Sequence, residues 1–251
     1  DTPLEEHTLE PRALKKEVDF ILRNAGKYLK DAPERKDVLS IYAGLRPLAL
    51  PEGGEAKGGK ATKDISRTHS LQVSESGLVT ITGGKWTTYR RMAEDTVDKT
   101  IMVAGLPAHP CTTKALKIHG WRNDVDPGTG MEAWENIYGS DAVKIQALVR
   151  ETPALGKPLD ANWSFTCAEV VWAVRQEMAR TVEDVLSRRF RVLFLDARAA
   201  MKMAPDVARI MKEELGKDED WARQQVNAFQ ALASEYLLVA PDDVVTGADQ
   251  P

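Results

Sequence analysis

Gly83, Gly84 and Lys85 bring together two things that an anion or an electron-rich ring needs from a protein: backbone that can be approached closely, and a positive charge. Lacking side chains, the two glycines accept positive φ and leave the main chain open to a ligand. Upstream, Leu71, Val73, Val79 and Ile81 alternate with Gln72, Thr80 and Thr82, the period of half-buried strands, and Ser74-Glu75-Ser76-Gly77 supplies a turn; the pattern predicts a hairpin. Downstream, Tyr89, Met92, Ala93, Val97 and Ile101 recur at helical spacing and stop at Gly105. The glycine pair therefore falls at a strand-to-helix corner, where the first free N–H groups and the positive end of the helix dipole favour negative charge. Lys85 adds a full cation beside them. The same spacing also fits a tight corner that needs glycine for backbone reasons alone, with Lys85 solvated, and both readings stay open at this stage.

A second constellation lies upstream. Asp37–Ala43 reads as a strand running into Gly44-Leu45-Arg46-Pro47, and Pro47 restricts the residue before it to extended conformations. Arg46 is thus a candidate clamp, because a guanidinium holds a carboxylate or phosphate bidentately; an ordinary ion pair is the alternative. Arg67 and His69, at the start of the hairpin, line the same region or sit on an edge strand.

Taken together, Tyr42–Leu48, Ile65–His69 and Val73–Arg90, with Ala168–Arg175 and Asp184–Arg189 further on, closely resemble the FAD-dependent glycerol-3-phosphate dehydrogenases of bacterial respiratory and mitochondrial type, over about Asp1 to Leu238. The resemblance implies that Arg46 binds the phosphate of glycerol 3-phosphate, with Arg67 a second contact. Lys85 would lie between substrate and flavin as a catalytic and substrate-binding group. Gly83, Gly84, Lys85, Trp86 and Thr87 would run along the isoalloxazine of FAD. It further implies hydride transfer from C2 of the substrate to the flavin, giving dihydroxyacetone phosphate, and electrons passed on to quinone, or to oxygen in an oxidase. A cation near the reduced ring fits that chemistry. No general base is assigned. Such enzymes open on a glycine-rich dinucleotide fingerprint after a strand, and none occurs here. The expectation is a C-terminal portion of a larger flavoenzyme, inactive by itself. A reading from another class makes the helical part a docking or oligomerisation module.

The 251 residues, 43% hydrophobic and 29% charged, suffice for one or two cores. A net charge of −4 argues against nucleic acid as a partner, since neutralising phosphates needs a basic surface. Cys111 and Cys167 are too few and too far apart for a disulfide framework or metal site, and His7, His109 and His119 show no ligand spacing; no metal is expected. No apolar run approaches the roughly 20 residues that span a bilayer, so the expected location is cytoplasmic, with any membrane contact peripheral on the inner face of the cytoplasmic membrane. Self-association through exposed sheet edges is a further expectation.

The elements divide the chain into 1–105, the end of a flavin and substrate domain; 106–126, a connecting stretch; 127–238, a helical domain; and 239–251, a tail. The fold class is α+β: short antiparallel strands plus helices, then an all-α part. A first helix is expected over about 11–25, ending at Gly26, and the charged run Leu50–Lys60 reads as a mobile loop. Further on come helices over 141–150, 166–188, from Pro205 to Gly216, and a last one marked by Trp221, Val226, Phe229, Leu232 and Tyr236. Trp121, Trp134 and Trp163 read as core anchors. Arg180, Asp184 and Arg188 at i, i+4 spacing predict a charge ladder, and Arg175, Glu177, Arg180 and Glu183 a network that fixes helix crossing.

Overall fold

The computed structural model describes residues 8–45, 69–122 and 135–238. In chain order the elements are α1 (Lys15–Ala25), β1 (Ser70–Val73), β2 (Val79–Thr82), α2 (Tyr89–Ala104), α3 (Glu135–Tyr138), α4 (Ala142–Glu151), α5 (Cys167–Gln176), α6 (Val192–Leu195), α7 (Ala197–Leu215) and α8 (Glu219–Ser234). The class is α+β. The described residues form two compact units: one holds 69–118, with β1, β2 and α2, and the other holds 10–43 together with 119–122 and 135–238. Residues 10–43, expected with the first region, thus belong to the helical unit.

In the smaller unit, β1 and β2 pair antiparallel in the register Ser70–Thr82, Leu71–Ile81, Gln72–Thr80 and Val73–Val79, which is the predicted hairpin. Helix α2 follows and stops at Gly105, whose φ of 62° lets its N–H turn back onto the carbonyl of Ile101. None of the described residues in this unit is buried.

The helical unit has a continuous core. Val170, Val171 and Val174 of α5 meet Met203, Val207 and Met211 of α7, and Phe229 of α8 closes the cluster. Each such side chain contributes about 1.5–3 kcal/mol by leaving water. Phe165 stacks on Phe190 at 4.4 Å, with Trp163 stacked beyond it at 5.9 Å. Trp163 is thus the anchor it was expected to be, whereas Trp121 is 42% exposed and Trp134 lies outside the described residues. Arg175 does tie two helices together, but by forking onto Glu214 of α7 at 2.6 and 2.8 Å and not through the expected Glu177 or Glu183.

Four expectations are corrected. Asp37–Ala43 is no strand: Arg35–Asp37 is a 3₁₀ turn, and the residues after it form a strap along the helical unit. Along that strap Ser40 Oγ donates to the carbonyl of Leu193 (2.7 Å), Ile41 N–H to that of Tyr236 (2.8 Å), and the carbonyl of Leu39 accepts from Ala197 N–H (3.2 Å). The helix expected over 166–188 ends instead at Gln176, and a π-helical turn occupies Asp184–Arg189. Arg180 does not ladder to Asp184 through its side chain; its guanidinium donates to the carbonyls of Val174 and Ala179, while Arg188 does reach Asp184 at 3.0 Å. Finally, Pro205 lies inside α7, which starts at Ala197 where Asp196 accepts from Ala199 N–H at 3.0 Å.

His119, for which the spacing offered no partner, lies exposed in a turn and pairs with the buried carboxylate of Asp141, which also holds Lys144 at 2.8 Å. The chain crossing beside it depends on a glycine: at Gly139, with φ of 57°, an added Cβ would lie 1.8 Å from the carbonyl oxygen of Gly120. His109 is exposed, and His7, the run Leu50–Lys60 and the tail from residue 239 lie outside the described residues. Among the described residues no helix is long and apolar enough to cross a membrane.

Candidate functional site

The chain leaves β2 at Thr82 and turns through Gly83 and Gly84, with φ of 74° and 82°, before Lys85 returns to extended backbone at φ −134°. Two successive left-handed positions explain why glycine stands at both. Trp86–Thr88 then forms a 3₁₀ turn that feeds α2. Thr88 closes this turn onto Lys85: its hydroxyl donates to the Lys85 carbonyl at 2.9 Å and accepts from the Lys85 N–H at 3.4 Å, and its own N–H reaches the same carbonyl at 3.0 Å. The N–H groups of Trp86 and Thr87 begin the turn and have no acceptor within it.

Every side chain from Lys85 to Tyr89 is exposed. The Lys85 ammonium has no partner among the described residues. Trp86 is 86% exposed and stacks on Tyr89, ring centroids 5.5 Å apart at 25°. A cation without a partner among the described residues, an exposed pair of rings and N–H groups with no acceptor in their own turn thus share one corner. That combination suits a flat, electron-rich or anionic ligand better than it suits water.

Behind the corner the structure is dense with charge. A Cβ on Gly84 would meet Met92 Sδ at 2.5 Å and His69 Cβ at 3.3 Å. His69 Nε2 lies 3.0 Å from Asp95 Oδ2, Asp95 Oδ1 lies 2.9 Å from Arg91, and Glu94 takes both Arg90 (2.8 Å) and Arg91 (3.3 Å). The Arg90 guanidinium holds the Glu94 carboxyl below the usual carboxylate range and also donates to Thr113 Oγ1 at 3.1 Å.

Of the residues expected at the site, Gly83, Gly84, Lys85, Trp86 and Thr87 fall together at this corner, with His69 beneath it. Arg46 and Arg67 lie outside the described residues. The sequence reading left Asp95 and Met92 unassigned, although the hairpin register carried a signal. Once Ser70 is set opposite Thr82, His69 must lie beside Gly83 and Gly84, within reach of the first turns of α2. Among the described residues no group of three or more His, Cys, Asp or Glu could hold a metal. A cavity of about 400 Å³, lined by Val18, Ile41, Tyr42 and Tyr236 among others, lies within the helical unit and not at the corner.

The profile of one family, the C-terminal domain of alpha-glycerophosphate oxidase, matches residues 78–222, which takes in the corner and most of the helical unit. The chain belongs to that family. Curated relatives of this C-terminal domain include a protein named probable mitochondrial glycerol-3-phosphate dehydrogenase from Caenorhabditis elegans, 38% identical over 249 residues, which span 92% of this chain and 33% of that protein. The mitochondrial glycerol-3-phosphate dehydrogenase of Mesocricetus auratus is 36% identical over 256 residues, 94% of this chain and 34% of its own length. This chain therefore spans about a third of those relatives. Among solved structures, the glycerol-3-phosphate dehydrogenase from Bacillus halodurans complexed with FAD shares the fold, with a TM-score of 0.69 and 23% identity over 98% of this chain and 49% of that one.

Proposed function

We propose that the chain is the C-terminal portion of a flavoenzyme that oxidises sn-glycerol 3-phosphate to dihydroxyacetone phosphate. The observation that carries this reading is the Lys85 corner: a cation without a partner among the described residues, on backbone bare of Cβ at two left-handed positions, beside N–H groups with no acceptor in their own turn. Support comes from relatives named glycerol-3-phosphate dehydrogenases and from a fold neighbour solved with FAD.

These residues fit FAD. Gly83 and Gly84 offer backbone without side chains to the polar edge of a ring system, and a Cβ on Gly84 would press on Met92 behind the corner and shift the main chain. Lys85, Trp86 and Thr87 would hold that edge. Bound there, FAD supplies the acceptor for the hydride that leaves C2 of the substrate. Lys85 favours negative charge on whatever lies over the corner, because a fixed cation needs no reorganisation as charge develops. Arg46, with Arg67 as a weaker candidate for a second contact, is assigned to the substrate phosphate on the resemblance, since a guanidinium matches a phosphate bidentately. Quinone as final acceptor, peripheral contact with the inner face of the cytoplasmic membrane and self-association belong to the same reading, on the resemblance alone. Spanning about a third of its relatives, the chain supplies part of a site and is inactive by itself in this account.

The test uses the chain joined to the remaining two thirds of the length of its relatives. Arg46→Ala should raise KM for glycerol 3-phosphate about 10–100-fold, the effect of losing a charge-assisted contact. Lys85→Met should lower kcat by about 10²-fold. Steady-state kinetics that match the parent in both variants would sink the assignment.

A further inference from the structure

His69 and Asp95 have no part in the reaction proposed above, yet they pair with each other directly behind the backbone from which Lys85 projects. His69 precedes Ser70, the first residue of β1, and the register Ser70–Thr82 sets it beside the glycine pair. One face of Gly84 is closed: an added Cβ there would come 3.3 Å from His69 Cβ and 2.5 Å from Met92 Sδ, so a residue next to the strand and one of the helix both back the main chain at this point. Asp95 lies three residues beyond Met92 on the same helix and receives a hydrogen bond from His69 Nε2 at 3.0 Å. Its other oxygen is held by Arg91 at 2.9 Å. The two side chains are only 19% and 24% exposed, so water competes weakly for the bond.

The Lys85 side chain is exposed and has no partner among the described residues, so the direction of the ammonium follows from where the backbone starts it. The Thr88 bonds hold that backbone from the helix side, whereas the two glycines before it leave it free from the strand side.

We propose that the His69–Asp95 pair is the positioning element of the corner: it ties β1 to α2 across Gly84 and thereby fixes the direction in which Lys85 and the N–H groups of Trp86 and Thr87 are presented. Neither residue is assigned a proton transfer. The consequence for turnover rests on the functional reading above; the consequence for the backbone does not.

The first measurement is therefore made on the 251-residue chain. In His69→Ala and in Asp95→Ala, amide resonances of Gly83 to Thr87 should shift and their hydrogen exchange should quicken by about tenfold or more, while amides of α7 keep their rates. In His69→Gln, whose amide can still donate to Asp95, the corner should stay as in the parent. Unchanged exchange at Gly84 and Lys85 in both alanine variants would overturn the proposal whatever the activity.

The second measurement uses the chain joined to the remaining two thirds of the length of its relatives. Per mole of bound flavin, His69→Ala and Asp95→Ala should each lower kcat about 10–100-fold, the scale of a catalytic group misplaced by about 1 Å. The KM for glycerol 3-phosphate should change less than threefold, and the double variant should be no slower than either single one. Effects that multiply in the double variant would show two independent roles and would also overturn the proposal. Full turnover in Lys85→Met, with the corner amides still disturbed in His69→Ala, would instead remove the functional reading and leave the positioning pair standing.

Discussion

Glu169 is a carboxylate that the fold has almost entirely removed from water. It is 1% exposed; Oε2 accepts from the N–H and hydroxyl of Thr166 at 2.7 and 3.0 Å. Burial pushes its carboxyl above the ordinary range, outweighing the Thr166 bonds and the Tyr138 hydroxyl. The phenol of Tyr138 is pushed far up in turn, by burial first and then by the charge of Glu169. A carboxyl raised on folding binds its proton more tightly in the native state. The stability linked to it is fully present below the unfolded value near 4.3 and is lost as pH rises through the folded one. Glu169→Gln keeps an acceptor for Thr166 and removes the charge. Its stability relative to the parent should therefore grow between pH 4.5 and pH 7, reaching a gain of about 1 kcal/mol. Urea unfolding at the two pH values measures this, and a gap that does not change with pH would refute it. At this scale the sequence was informative wherever spacing is local. Gly83, Gly84 and Lys85 declared a corner by themselves, whereas the His69–Asp95 bond joins residues 26 positions apart and becomes visible only after the hairpin register is fixed.

Helix ends were less legible than helix faces. Val171, Val174, Met178, Val182 and Val185 read as one buried stripe, which is why one helix was expected over 166–188; all but Met178 are buried. The break between them uses no glycine or proline. Ala179 N–H reaches back to the carbonyl of Ala173 at 2.9 Å, and Met178 takes the left-handed position, φ 56°, with its side chain 76% exposed. Asp184 then caps the next turn, accepting from the N–H groups of Arg180 and Thr181 at 2.9 and 3.0 Å. Burial alone would raise its carboxyl, but these bonds and the Arg188 guanidinium bring it below the usual range. Pro205 misled in the opposite direction, since a proline that often starts a helix lies here within α7. A methionine in left-handed backbone is strained by about 1 kcal/mol or more. Met178→Gly should raise unfolding stability by about 0.5–1 kcal/mol, and Met178→Val should lower it, as read by the denaturant midpoint. Equal midpoints for both would mean that the break is not strained.

The fold class was legible in the whole molecule, because a two-residue period gives way to a helical one and stays helical. The partition was not: nothing local in residues 10–43 says that they pack with residues beyond 119. The two units also differ in what holds them. The helical unit has Val170, Val182, Val185, Met203 and Met211 wholly enclosed, whereas none of the described residues around β1, β2 and α2 is buried. In native-state hydrogen exchange of the 251-residue chain, α7 amides should open only with global unfolding and α2 amides at least 10²-fold more readily. Equal protection of the two helices would contradict this. The strap at residues 38–43 carries a consequence for the order of events in synthesis. The Leu193 carbonyl that Ser40 bonds is made 153 residues later, and the Tyr236 carbonyl that receives the Ile41 N–H later still. At ribosomal rates of about 5–20 residues per second, the strap leaves the tunnel on the order of 10 s before its partners exist. For that interval Leu39, Ile41 and Tyr42 are in the company of nascent chain and solvent, and this is when a chaperone would find them.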